Sequence, residues 1–391
     1  MTHRKRKGLV IGCGVGLGLV VLLVLLAALG GPLAVRLGLK PVCIQGDWPQ
    51  VRIVSCPEPA AAAAVVTPWP LPTLSGQTPV PIIVDDDGSP DGMIALLYFL
   101  RNPLFEVKAV TISQGEAHPD VFAPHVSQLL AGLGKADIPV GAGRGTPLAG
   151  DNAFPEPWRE GSDAFWGISL PAAPVPTEPV PAAELIAQTI RGSAEPMAVF
   201  VSGTHTNLAE ALRLDPGIAD KIRGVYVMGG SVHAPGNIHA EWPQLDNEVA
   251  EWNIWADALA AGEVFDAGLP LHLIPLDATR QVLWTEADAA RWASSGSEDG
   301  RLAAGLLRAL LSMSPEGVAY VWDVVAAGAA TDARLCPETS LSLDVVTAAG
   351  PEQGRMVIAE GPPNVAVCLT PNAAQTKARV EDILIGAAVD K

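Results

Sequence analysis

Ile82-Ile83-Val84-Asp85-Asp86-Asp87-Gly88-Ser89-Pro90-Asp91 carries a short apolar run straight into four carboxylates within seven positions. Apolar, β-branched residues bounded by turn signals have the pattern of a strand buried on both faces. Helical spacing of apolar residues follows at once over 93–100. Strand, polar turn and helix in that order make the first unit of a parallel α/β sheet, where ligands gather at the carboxyl ends of strands. Four carboxylates at such an end repel one another unless something positive sits among them. A hard cation with oxygen ligands, calcium or magnesium, would satisfy them. The plainer reading is a solvated acidic turn in which Asp91 favours the dipole of the next helix.

The same alternation continues outward. Strands are expected at 80–84, 107–112, 137–140, 197–202, 224–228 and 271–275, with helices at 121–133, 182–191 and 207–214 and several Ala-rich ones between 286 and 330. Two late apolar runs, 342–347 and 355–358, are expected to close the sheet, and the Pro-rich stretch 147–180 to form a long loop or cover. The class is therefore α/β: a Rossmann-like open, mostly parallel sheet with helices on both faces. Strand order is not legible in the sequence.

Composition narrows the partners. The 391 residues include 25 Lys+Arg against 42 Asp+Glu, a net charge of −17, with 49% hydrophobic residues. That much apolar material excludes a disordered acidic chain, and the charge excludes general nucleic-acid binding. Six of the bases and none of the acids lie in residues 1–40, where an uncharged apolar run, 8–35, is long enough to cross a bilayer. The expectation is a cytoplasmic basic stub and transmembrane signal anchor at 1–40, an Ala/Pro-rich linker with a cysteine pair at 41–79, and a domain at 80–391 outside the cell membrane. Cys13 falls in the anchor. Cys43, Cys56, Cys336 and Cys368 allow three pairings, of which proximity favours Cys43–Cys56 and Cys336–Cys368.

Two families share features of the opening turn. Asp85-x-Asp87-Gly88-Ser89 resembles the first motif of haloacid-dehalogenase-type phosphatases, but no convincing acidic pair follows downstream. Asp85-x-Asp87-x-x-x-Asp91 with Ala95-Leu96 resembles the D-x-D-P-G-x-D-D-x-x-A-L opening of inosine/uridine-preferring nucleoside hydrolases. Further segments in that family's order decide between them. Ser202-Gly203-Thr204-His205-Thr206-Asn207-Leu208-Ala209 is similar to its G-x-x-T-N-L-A segment, and Val227-Met228-Gly229-Gly230 with Pro235-Gly236-Asn237 to its V-M-G-G and P-G-N stretch. Glu251-Trp252-Asn253-Ile254 with Asp257, Pro275-Leu276-Asp277-Ala278-Thr279 and Val321-Trp322-Asp323-Val324-Val325-Ala326 match three more.

The resemblance implies hydrolysis of the N-glycosidic bond of nucleosides to free base and ribose, with calcium as cofactor. Asp87 and Asp323 would be carboxylate ligands, the Thr206 carbonyl a further one, and Asp87 would also take the proton of the attacking water. Asp91, Asn237, Glu251 and Asn253 would hold ribose hydroxyls, with Met228 against the sugar. It implies a small-molecule nucleoside as partner, no nucleic acid, and a homo-oligomer.

Departures from the family pattern put part of this in doubt. Gly92 stands where the family has a second Asp, a metal ligand. Asp86 or Glu116 would compensate if they point inward, although alternation along a strand turns Asp86 away from Asp85 and Asp87. Glu116 replaces an Asn that contacts ribose, and Trp322 replaces a His that in some members protonates the departing base. An indole there either stacks on the base or packs in the core. His118, His205, His233 and His239 are the remaining candidates for that proton. If Gly92 abolishes turnover, the alternative is a ribosyl-ligand-binding ectodomain of the same fold.

Overall fold

The computed structural model describes residues 42–45, 52–55, 78–172 and 179–386. The chain divides into two units, residues 1–62 and 63–391. In the first, β1 (Val42–Gln45) and β2 (Arg52–Ser55) pair antiparallel. The expected anchor and the Cys43–Cys56 pairing lie outside the described residues or side chains. Among the described residues no helix is long and apolar enough to cross a membrane.

In the second unit, β3 (Val80–Asp86), β4 (Phe105–Ile112), β5 (Val140–Ala142), β6 (Val180–Pro181), β7 (Met197–Val201), β8 (Ile222–Met228) and β9 (Leu271–Ile274) follow in chain order. Next come a small ribbon of β10 (Leu283–Thr285) and β11 (Val318–Tyr320), then β12 (Glu338–Leu341), β13 (Leu343–Val345), β14 (Met356–Ile358) and β15 (Val365–Cys368). The main sheet has nine strands in the order β12-β15-β9-β8-β7-β3-β4-β5-β6. All neighbours run parallel except the edge strand β12.

Alternate residues of the central strands enter different cores. Ile82, Val84 and Phe200 pack with the helices Pro90–Arg101, Pro119–Gly132 and Trp322–Thr331. Ile83, Val199 and Val201 pack with Ala182–Gly192, Thr206–Leu214 and Ala258–Asp266. Both faces are covered, which is why these strands read as unbroken apolar runs.

Two expectations about the late strands and one about an early strand need correction. The runs near 342–347 and 355–358 pair with each other as β13 and β14 and do not close the sheet. Leu343 and Met356 are buried but Val357 and Ile358 are exposed, so the ribbon has only one face to bury. The edge is made instead by β12 and β15, tied by the Cys336–Cys368 disulfide. The strand expected at 137–140 begins only at its last residue, Val140.

The chain leaves β3 for β4, β5 and β6 on one side, then returns to β7 on the other. The carboxyl ends of β3 and β7 therefore flank a topological switch point, the place where open α/β sheets leave a crevice. The first acidic turn and the 202–207 segment meet there.

Candidate active site

β3 ends at Asp86, so the three successive acids fall into three environments. Asp85 turns to the sheet interior, where Thr111 Oγ1 and Asn207 Nδ2 donate to its Oδ1 at 2.7 and 2.8 Å. Asp86 accepts from Gly88 N at 2.8 Å and Ser202 Oγ at 2.7 Å. Gly88, at φ +88°, makes the turn that aims its N–H backward. Asp87 lies beyond the last paired residue, so strand alternation no longer sets its direction, and Glu116 N donates to its Oδ2 at 3.2 Å.

The next helix starts on the far side of this turn. Ser89 is its N-cap, accepting from Gly92 N at 2.9 Å, while its own hydroxyl donates to Asp323 Oδ2 at 2.9 Å. Asp91 accepts from Asp323 N at 3.2 Å. One turn thus holds the start of a second helix, Trp322–Thr331, against the first.

The walls come from the ends of β7 and β8. Asn253 Nδ2 donates to the carbonyls of Ser202 and Met228 at 3.2 and 3.3 Å. Glu251 caps the helix Trp252–Ala256, taking N–H groups from Asn253 and Ile254, and also takes Gly230 N at 2.8 Å. Asp277 accepts from the N–H groups of Val232, His233 and Ala234, which fixes the loop leading to Asn237.

Asp87, Asp91, Glu116, Met228, Asn237, Glu251, Asn253, Trp322 and Asp323 line one cleft of about 350 Å³, part of it open to solvent. Thr206 does not line it. Its hydroxyl donates to Asp257 Oδ2 at 2.7 Å, which leaves only its carbonyl for the role expected. Asn237 is 1% exposed with both amide atoms unpartnered by protein. The Trp322 ring lies along the cleft, stacked on Tyr320 at 5.8 Å, and its N–H has no partner. It is partly buried, lining the cleft while also packing against the main core.

Sequence reasoning missed the rest of the lining: Ser89, Ser202, Phe154, Trp158, Glu241 and Trp252. Trp252 stood inside a matched segment, but Phe154 and Trp158 lie in the Pro-rich cover, where no periodicity marks them. None of the four histidines proposed as proton donors lines the cleft. His118 bonds Asp163 at 2.7 Å and His239 the Leu245 carbonyl at 2.9 Å. His233 is exposed. His205 is buried beside Phe265, and burial lowers it to about 4.

Among the described residues no Lys or Arg lines the cleft, although the charge of Arg280, bonded to the Pro235 and Gly236 carbonyls, reaches Glu251 and Glu241. Burial, and then the charges of Asp86, Glu116 and Asp91, raise Asp87 well above the usual carboxylate range. Burial followed by Asp91, Asp86 and Asp87 does the same to Asp323, and burial followed by Asp91 and Glu241 to Glu116. Glu241 accepts from Trp252 Nε1 at 2.8 Å. Desolvation of its carboxyl end pushes it up to about 7, although much of the residue reaches solvent.

The inosine-uridine preferring nucleoside hydrolase model matches residues 82–378. The chain belongs to that family. Among relatives, the pyrimidine-specific ribonucleoside hydrolase RihA of Salmonella enteritidis PT4 is 35% identical over 236 residues, spanning 58% of this chain and 70% of that protein. RihA of Escherichia coli O7:K1 is 34% identical over 231 residues, with the same shares. Among solved structures, the plant nucleoside hydrolase PpNRh1 superposes with a TM-score of 0.71 at 23% identity, over 79% of this chain and 100% of that one. A purine-preferring ribonucleoside hydrolase from Gardnerella vaginalis gives 0.69 at 23%, over 78% and 100%. The last two likenesses carry the fold alone.

As a nucleoside hydrolase, this chain is a hydrolase of ribonucleoside N-glycosidic bonds. The family implies a metal, and the donor set here fits a hard one in chemistry and charge. The buried carboxylates offer oxygen donors, and among the described residues no Lys or Arg lines the cleft with them. In number the fit falls short: among the described residues no group of three or more His, Cys, Asp or Glu is drawn together as metal ligands would be.

Proposed function

We propose that this nucleoside hydrolase cleaves unphosphorylated ribonucleosides to base and ribose, with calcium bound at the end of β3. The observation that carries this is the cleft at the switch point, where carboxylates form the floor, Trp158, Trp252, Trp322 and Phe154 the rim, and no Lys or Arg is among the described lining residues. A phosphorylated ligand would meet the repulsion of the lining carboxylates, with no lining cation to offset it.

Asp87, Asp323 and the Thr206 carbonyl would hold the cation. When bound, it supplies a polarised water and grips diol oxygens. Asp87 takes the proton of the attacking water, steadied by the Glu116 N–H. Asp91, Glu116, Asn237, Glu251 and Asn253 bind the ribose, the unpartnered Asn237 amide finding hydroxyls there. Attack then passes through an oxocarbenium-like state, as in glycoside hydrolysis generally. The rim aromatics hold the base by stacking, and Glu241, bonded to Trp252 in that rim, hands a proton to the departing base.

The basic stub and apolar run of the first 40 residues support a single-pass anchor with this domain outside the cell membrane. The Cys336–Cys368 disulfide supports an oxidising compartment.

The test is release of reducing sugar from uridine, cytidine and inosine by the full chain, with calcium and after chelation. Calcium-dependent release is expected. A folded protein that binds nucleoside but releases no ribose favours the second reading, a binding ectodomain, for which the shortfall of converging carboxylates speaks.

A further inference from the structure

Gly92 is the third residue of its helix, with its N–H on Ser89 Oγ. It has no room for a side chain. A Cβ there would lie 1.7 Å from Asp86 Oδ2, 2.5 Å from Asp86 Cγ and 2.8 Å from Asp86 Oδ1. The carboxyl carbon of an aspartate stands about 1.5 Å beyond its Cβ, one carbon–carbon bond. The carboxylate that residue 92 lacks and the carboxylate that Asp86 carries would therefore compete for the same few ångströms. Glycine at 92 is what Asp86 requires, and the two residues form one coupled exchange.

Asp86 is fully buried and fixed at both oxygens, by Gly88 N–H from one side and Ser202 Oγ from the other. Each oxygen keeps a further lone pair. Asp86 directly precedes Asp87, and its Oδ2 stands where a side chain at residue 92, next to Asp91, would begin, so it adjoins two acids of the cleft. Ser202, its partner, lines the cleft beside these acids. Independently, the buried Asn237 amide, unpartnered in the same cleft, points to a ligand there.

We propose that Asp86 supplies, from the end of β3, the third carboxylate charge of the cation site, replacing the side chain absent at residue 92. This rests on the calcium reading above. The site has then kept its charge while moving one carboxylate from the helix to the strand.

The test measures calcium binding by titration calorimetry on the chelator-stripped full chain, for the parent, Asp86→Asn and the exchange pair D86S/G92D. Far-UV circular dichroism and melting in EDTA check the fold. Asp86→Asn keeps the shape and the Gly88 hydrogen bond while removing the charge. It is expected to weaken calcium binding roughly 10–100-fold, the range for altered support of a metal site. The exchange pair, with its carboxylate on the helix again, is expected to recover most of that loss. A folded Asp86→Asn protein that binds calcium as tightly as the parent overturns the proposal. So does a folded exchange pair that recovers nothing. A parent that binds no calcium overturns both this proposal and the calcium reading, whereas the first two outcomes leave the calcium reading standing.

Discussion

The floor of the cleft and its rim draw on different parts of the chain. Asp87, Ser89 and Asp91 come from one turn after β3, and Asp323 is tied to that turn by hydrogen bonds at 2.9 and 3.2 Å. The rim comes from four separated stretches, Phe154 and Trp158, Glu241, Trp252, and Trp322, held by ring contacts such as Phe154–Trp252 at 5.0 Å and Trp158–Trp252 at 5.3 Å. Hydrogen bonds fix direction, while ring contacts fix only position and tolerate tilt. Under the function proposed above, the floor would serve one chemical step on the sugar and the rim would hold bases of varied shape. Floor substitutions should lower kcat alike for every nucleoside, whereas rim substitutions should separate one base from another.

The largest effect expected is at the floor. Asp87→Ala should cost about 10²–10⁴-fold in kcat, the usual contribution of a proton-transfer group, with equal loss for uridine and inosine in steady-state assays. A strongly base-dependent loss would break the contrast. Next comes Glu241→Gln, at about 10²-fold, the lower end of the same range. Its carboxyl is raised to about 7, so the proton-bearing form is lost as pH climbs through that value. The parent's kcat/KM should therefore fall on the alkaline side of 7, and the Gln variant should lose that limb. An unchanged pH profile would remove Glu241 from the mechanism.

Trp322→Ala should cost about 1–3 kcal/mol of base stacking, read as a raised KM that differs between purine and pyrimidine nucleosides. Smallest is Asp85→Asn. Its amide oxygen can still accept from Thr111 and Asn207, and its new N–H group has the unpartnered Asn207 Oδ1 nearby. Activity should stay within about threefold of the parent, since a neutral hydrogen bond there changes little. A loss as large as that of Asp87→Ala would place Asp85 on the floor as well.

The contrast also explains what the sequence made legible. Asp87, Asp91 and Asp323, singled out through the family resemblance, line one cleft, and each stands directly after a strand or in the first turn of a helix, where local pattern fixes position. Asp86, the last paired residue of β3, faces away from Asp85 as alternation requires, and it is Asp87, one residue past the last pair, whose direction alternation does not set. The loop histidines failed because a loop residue's direction depends on distant partners such as Asp163, not on its neighbours. Phe154 and Trp158 had no periodicity around them, and Glu241 sits on a helix of four residues, Ile238–Glu241, too short to leave a pattern. The sheet was legible in its centre, where both faces are buried. It was not legible at β12, whose residues are only partly covered.

One hydroxyl closes the acidic set of this enzyme. Ser89 joins the first helix to Asp323 across 234 positions of chain. Closing a loop of that length costs conformational entropy that a single hydrogen bond does not repay, so the bond depends on the packing of the two helices around it. The acids at the end of β3 remain an incomplete set unless the helix carrying Asp323 is docked. Ribose release is therefore a report on the finished fold, and a nascent or truncated chain that stops short of residue 323 has the opening turn without the function.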